Sequence, residues 1–319
     1  MTAVAHYNLL ERLGEGAFSE IYRARDTKFG RTVALRMIRD EAFSVDHMRD
    51  AFLRDARAAA QLSHPNITTL FDVGEYEGGC YLAYEFAAGV NLRRESAGRP
   101  MNPRRAIELA VHIADALAEG HAQGLVHGDI RPETIFVTHK GSAKLLEFGM
   151  AHWTTGGRIR ERAAAAPATL GTDCVSVVSY MSPEQTRGAA IDPRTDIYSL
   201  AVVVYELLTG ANPFAGQTAA ATVENVRNAV PRRPVAEGGS GELSSLVRAA
   251  MSKDPEARPQ SAAAFSASLR AIGTILDVRA GEAPRTELLP IDDEPTSRWW
   301  VPLLILLVIA VAAWWYFAR

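Results

Sequence analysis

His127-Gly128-Asp129-Ile130-Arg131-Pro132-Glu133-Thr134, followed shortly by Glu147-Phe148-Gly149, is the stretch on which the reading of this chain turns. It sits between two halves of unlike pattern. Upstream, Tyr7-Asn8-Leu9-Leu10 and Glu20-Ile21-Tyr22-Arg23-Ala24 flank a glycine-bearing turn, and Thr32 to Ile38 follows as a third apolar strand. Met48, Phe52, Ala56, Ala59 and Leu62 then recur at helical spacing between Asp46 and Leu62. Strands at Thr69 to Val73 and Tyr81 to Phe86 complete a small lobe of five strands and one helix. Beyond Gly89 the pattern turns helical. Ile107, Val111, Ala114, Leu117 and Ala118 line one face of a helix that should start near Asn102-Pro103, where a capping side chain and a first-turn proline belong. Asp196 to Leu208 is apolar around most of its circumference, which suits a helix through the centre of a lobe. A last helix is expected over Ser261 to Ile272, and no internal repeat is visible.

The 319 residues and a net charge of −3 give no electrostatic case for a nucleic-acid partner. Two cysteines, Cys80 and Cys174, suggest no disulfide framework and suit a reducing compartment. Lysine is confined to Lys28, Lys140, Lys144 and Lys253, so Arg carries almost all the positive charge. Met1 to His6 has no apolar stretch, and no secretory signal is expected. Residues 299–318 are uncharged and almost wholly apolar; as a helix they would reach roughly 30 Å, the thickness of a bilayer core. Trp299-Trp300 and Trp314-Trp315-Tyr316 bracket the run as interfacial anchors would. The expectation is a transmembrane tail anchor at 299–318, an acidic proline-containing linker at 273–298, and a folded domain at 1–272.

The central stretch resembles the catalytic loop H-R-D-x-K-x-x-N and the metal loop D-F-G of the bacterial-type Ser/Thr protein kinases. Other motifs follow in the family's order. Gly14-Glu15-Gly16-Ala17-Phe18-Ser19 is similar to its glycine-rich loop with the last glycine lost, and Arg36 stands where its Val-Ala-x-Lys places lysine. Asp55 stands at its helix glutamate, and Ser182-Pro183-Glu184 at its A-P-E, with Arg258 the expected partner of Glu184. The resemblance, from Tyr7 to Ile272, implies an α+β bilobal protein-kinase-like fold: a five-stranded β N-lobe with one long helix, a mainly α C-lobe, and here a C-terminal transmembrane helix. It also implies ATP and Mg²⁺ as ligands and proteins as substrates or partners. By the same resemblance Gly14, Gly16, Ile21, Ala34, Arg36, Asp55 and Glu85 would bind nucleotide, with Tyr84 at the back of the adenine pocket. Asp129 would take the substrate hydroxyl's proton, Arg131 would neutralise the transferred group, and Thr134 and Glu147 would hold metal. Leu70, Phe148 and His127, anchored by Asp196, match the stack that joins the lobes.

The departures fall on the chemistry. Arginine at 36 is a planar fork where a compact ammonium is usual, and a pair with the shorter Asp55 would keep sign while exchanging length. Thr134 replaces an asparagine and Glu147 adds a methylene to an aspartate, although Mg²⁺ demands near-octahedral geometry at about 2.0–2.1 Å. Val177 stands where a hydroxyl would tie the substrate-docking segment to the catalytic loop. Arg158, Arg160 and Arg162 read as a solvated loop face. A misplacement near 1 Å costs roughly 10²-fold, so two such losses leave about 10⁻² per second at most. The leading expectation is a pseudokinase on the cell inner membrane, single-pass, its kinase-like domain cytoplasmic, binding ATP weakly and protein partners. The alternative is an active Ser/Thr kinase whose metal site is non-standard. A small-molecule phosphotransferase is a third reading, disfavoured by Ser182-Pro183-Glu184.

Overall fold

Alternating apolar positions give the N-terminal part of the chain a six-stranded sheet. In the computed structural model, residues 3–16, 18–43, 46–150, 153, 155–234, 238–279 and 281 are described. The sheet comprises β1 (Ala3–Val4), β2 (Tyr7–Glu15), β3 (Ser19–Asp26), β4 (Arg31–Arg39), β5 (Leu70–Tyr76) and β6 (Gly79–Glu85). Its order is β1-β2-β3-β4-β6-β5, antiparallel throughout. Five of these are the expected strands, and β1 is a short addition at the edge. Helix α1 (Asp46–Ala59) packs Phe52, Ala56 and Ala59 against Ile38, Leu70 and Leu82. It stops at Ala59, so Leu62, expected on its face, is buried from the turn that follows.

A second sheet of three short strands, β7 (Gly89–Asn91), β8 (Ile135–Thr138) and β9 (Ala143–Leu145), frames the central stretch. After the short α2 (Leu92–Ser96) comes α3 (Pro103–Ala122), capped as expected: Asn102 accepts from the Arg104 N–H at 2.9 Å and Pro103 opens the first turn. Four further helices follow: α4 (Thr155–Ala165), α5 (Val175–Val178), α6 (Pro183–Thr186) and α7 (Pro193–Thr209). The last three among the described residues are α8 (Ala219–Asn228), α9 (Gly241–Ala250) and α10 (Ala262–Arg279). As its apolar circumference predicts, α7 is buried from Thr195 to Val204 and forms the axis of the helical lobe's core. Helix α10 runs past Ile272 to Arg279, packed on α3 and closed by the Arg104–Asp277 ion pair at 2.6 Å. The linker therefore cannot begin at 273. Residues up to Arg279 form one unit, and the expected transmembrane run lies outside the described residues. Among the described residues no helix is long and apolar enough to cross a membrane.

Candidate functional site

The cleft is built where the two sheets meet. Its cavity, about 290 Å³, is lined from the large sheet by Leu13, Ile21, Ala34, Arg36, Tyr84 and Glu85, and by Phe86 and Ala87 just beyond it. Arg131, Glu133, Thr134, Phe136, Leu146 and Glu147 line it from the central stretch. Ile21, Ala34, Arg36, Glu85, Arg131, Thr134 and Glu147 are thus brought together as the motifs imply. Gly14 is near the end of β2, paired with Ile21 of β3, and Gly16 follows the strand with its N–H on Ser19 O at 2.8 Å; neither lines the cavity.

The floor is positioned by a buried polar frame. Asp196 on α7 accepts from the His127 N–H at 2.8 Å, the Gly128 N–H at 2.7 Å and His121 Nε2 at 2.8 Å. His127 Nδ1 accepts from the Asp129 N–H at 3.1 Å, so its Nε2–H donates to Leu146 O at 2.8 Å. Burial pushes the imidazole's pKa down, although Asp196 pulls the other way, and this neutral tautomer fits both bonds. The Phe148 ring meets His127 edge-on at 5.2 Å and fills the space left by Gly120, where any Cβ would collide with it. Leu70, expected in the same stack, packs in the N-lobe core with Tyr84 and Met150, while Phe148 belongs to the core around α7. Glu147 takes a left-handed φ of 60°, uncommon without glycine.

The reactive groups are bound to one another. Arg36 Nη2 ion-pairs with Glu147 Oε1, and Nη1 donates to Ser19 Oγ at 3.0 Å. This overturns the expected Arg36–Asp55 pair. The Trp153 indole is inserted against Phe43 and Phe52, and its N–H is donated to Asp55 at 2.9 Å. Asp55 does not line the cavity. Asp129 is flanked by Arg131 Nε at 3.2 Å and Arg160 Nη1 at 2.9 Å. Burial raises its pKa, but the guanidiniums of Arg131 and Arg160 outweigh that and hold the carboxyl below its ordinary range. Arg131 also holds Glu133 at 3.1 Å, and Arg93 links Glu133 to Glu206 on α7. The Thr134 hydroxyl lies 2.8 Å from Asp129 O and 3.0 Å from Arg131 O, and accepts from the Arg131 N–H at 3.2 Å. Its single proton is spent inside its own loop.

Sequence reasoning missed four participants. Arg160, read as part of a solvated face, is on α4 with a largely buried side chain against Asp129. Arg158 stacks 3.8 Å from the Phe18 ring and donates to Ala42 O, so α4 is tied to the glycine-bearing turn. Gln185 Nε2 donates to Gly128 O at 2.8 Å and joins the 182–186 segment to the central loop, near where the hydroxyl absent at Val177 was to act. Lys144 pairs with Glu85 at 2.9 Å. An Ala- and Arg-rich run from Arg158 to Ala165 carries helix propensity, the one signal that would have placed Arg160 on a helix.

Mg²⁺, which this kind of cleft would imply, does not fit the donors. Glu147 is already neutralised by Arg36, and Thr134 offers a neutral hydroxyl engaged on its own backbone. Among the described residues no group of three or more His, Cys, Asp or Glu side chains converges as a metal site.

A family profile described as a protein kinase domain matches residues 7–269. The chain is 35% identical over 311 residues to the serine/threonine-protein kinase PknB of Mycobacterium tuberculosis, covering 93% of this chain and 47% of the relative. It is 34% identical to the serine/threonine-protein kinase pkn3 of Myxococcus xanthus, covering 85% and 50%. It therefore spans about half the length of these curated relatives. The crystal structure of the Mycobacterium tuberculosis PknI kinase domain superposes with a TM-score of 0.62 at 23% identity, over 84% of this chain and 97% of that one, a likeness of fold.

Proposed function

This chain belongs to the protein kinase family, and from that premise we propose that it is a pseudokinase: a kinase-fold signalling protein with little or no phosphotransfer, binding adenine nucleotide and protein partners. One observation carries this reading. Each charged group that phosphoryl transfer would use is engaged by another group of the same chain. Asp129 is held by Arg131 and Arg160, both on Oδ1, and the two guanidiniums stabilise the carboxylate and weaken it as an acceptor of a substrate hydroxyl's proton. Glu147 is held by Arg36, and Thr134 by its own loop. Phosphoryl transfer depends on positioning and electrostatics, and these pairings oppose both. The Tyr84 hydroxyl is buried with no hydrogen-bond partner at the back of the cavity, which favours a ligand with a polar edge there.

The test is transfer of label from γ-labelled ATP to the chain itself and to a general serine-containing substrate. We expect turnover at or below about 10⁻² per second. Ordinary kinase turnover that Asp129→Asn abolishes would overturn the reading. It would favour the alternative of an active Ser/Thr kinase with a non-standard metal site, a view supported by Asp129 itself and by relatives whose names call them kinases.

We further propose a single-pass tether through residues 299–318 in the cell inner membrane, with the kinase-fold domain in the cytoplasm. Support comes from the length and apolarity of that run and from two unpaired, buried cysteines. In sealed, right-side-out cells the domain should resist added protease; its digestion would reverse the orientation.

A further inference from the structure

The two altered residues at the head of the cleft are altered in the same sense. Arginine reaches further than lysine and glutamate further than aspartate, and the two longer arms meet. In a metal-dependent kinase the divalent ion joins the aspartate carboxylate to the phosphate oxygens. Here a guanidinium already sits on the corresponding carboxylate. It also has donors to spare. Of five N–H groups, one goes to Ser19 Oγ and one to Glu147, while Nε is buried without a hydrogen-bond partner. A guanidinium can serve a carboxylate and a phosphate together because its five donors point in different directions within one plane.

The surrounding charges agree. Each acid that lines the cavity is ion-paired: Glu147 with Arg36, Glu133 with Arg131 and Arg93, and Glu85 with Lys144. No lining carboxylate is left unneutralised to attract a dication.

We propose that this cleft binds adenosine di- or triphosphate without a divalent ion, the Arg36 guanidinium taking the ion's place as the bridge between Glu147 and the phosphates. The exchanges Lys to Arg and Asp to Glu form one compensated change, in which a resident cation replaces a recruited one. This rests on the nucleotide-binding part of the reading above.

The test titrates the detergent-solubilised full chain with a fluorescent ATP analogue, in excess EDTA and in excess Mg²⁺. The two dissociation constants should agree within about threefold. Arg36→Met should weaken binding in EDTA by roughly tenfold or more, the loss of a charge-assisted contact. Restoring the shorter arms, Arg36→Lys with Glu147→Asp, should make binding metal-dependent, with Mg²⁺ tightening it by roughly tenfold. This double variant keeps the test decisive if Arg36→Met misfolds. Mg²⁺-dependent binding by the unaltered chain overturns this proposal and leaves nucleotide binding standing. Absence of binding under both conditions overturns both. Indifference to Arg36→Met also refutes the bridging role.

Discussion

Glu184–Arg258 and Arg36–Glu147 are both carboxylate–guanidinium pairs between distant parts of the chain, and they have opposite histories in the reading of it. The first joins two residues whose partnership the motifs announce, and it forms as announced: Nη1 to Oε1 at 2.7 Å and Nη2 to Oε2 at 2.9 Å. The second joins two residues that each depart from their motif, and neither takes the partner expected of it. The difference is one of enclosure. The Arg258 side chain is wholly inaccessible and also donates to the Ser252, Lys253 and Arg194 carbonyls, so packing admits one arrangement. Arg36 and Glu147 project into a cavity wall, where longer arms are free to find new partners. Enclosure preserves a motif's meaning; a cavity lets it be rewritten.

The comparison breaks first at its stronger end. Arg258→Met leaves the largely enclosed Glu184 without its cation, and breaking such an ion pair costs about 3 kcal/mol. Urea unfolding should show that loss in the kinase-fold transition. A loss below about 1 kcal/mol would mean the pair is no anchor. Asp196→Asn should come next, at about 1.5–3 kcal/mol. Aspartate accepts three hydrogen bonds here, two on Oδ2 and one on Oδ1. An amide must turn its NH₂ toward at least one of those N–H donors, and the same unfolding measurement reports it. A smaller effect belongs to the cleft. A double-mutant cycle on Arg36→Met and Glu147→Gln should give a coupling near about 1 kcal/mol. Coupling as large as the cost of Arg258→Met would show that the cleft is as rigid as the core.

The same contrast separates what was legible from what was not. Asn102-Pro103, the apolar circumference of Asp196 to Leu208, and the five main strands are local patterns, and local patterns survive translation into structure. The cavity wall was legible only through the family resemblance, which put Ile21, Ala34 and Tyr84 around the adenine site, and all three line the cavity. What escaped depends on how the segment after Gly149 folds back. Trp153 claims Asp55, and α4 carries Arg160 to Asp129. Neither contact has periodicity behind it, and a row of arginines looks alike whether it faces water or a carboxylate. The edge strand β1 escaped because two residues carry no alternation to read.

The finest test of the comparison concerns Arg160, which belongs to neither end. Its guanidinium is one of two that lower the pKa of Asp129, and the pair lies within the protein rather than at its surface. A carboxylate whose folded-state pKa is depressed contributes stability that is complete above its unfolded value, ordinarily near 3.8, and is lost as pH falls through the lowered folded value. Arg160→Ala leaves Arg131 on the same oxygen, so it removes only part of that depression and should cost about 1 kcal/mol at neutral pH. As acid protonates Asp129, first in the variant and then in the unaltered chain, the difference between the two proteins should shrink toward zero. Unfolding midpoints followed from neutral pH downward measure it. A gap that persists unchanged into acid would mean that Arg160 contributes by packing alone, and that Arg131 is the one guanidinium of the two that holds Asp129.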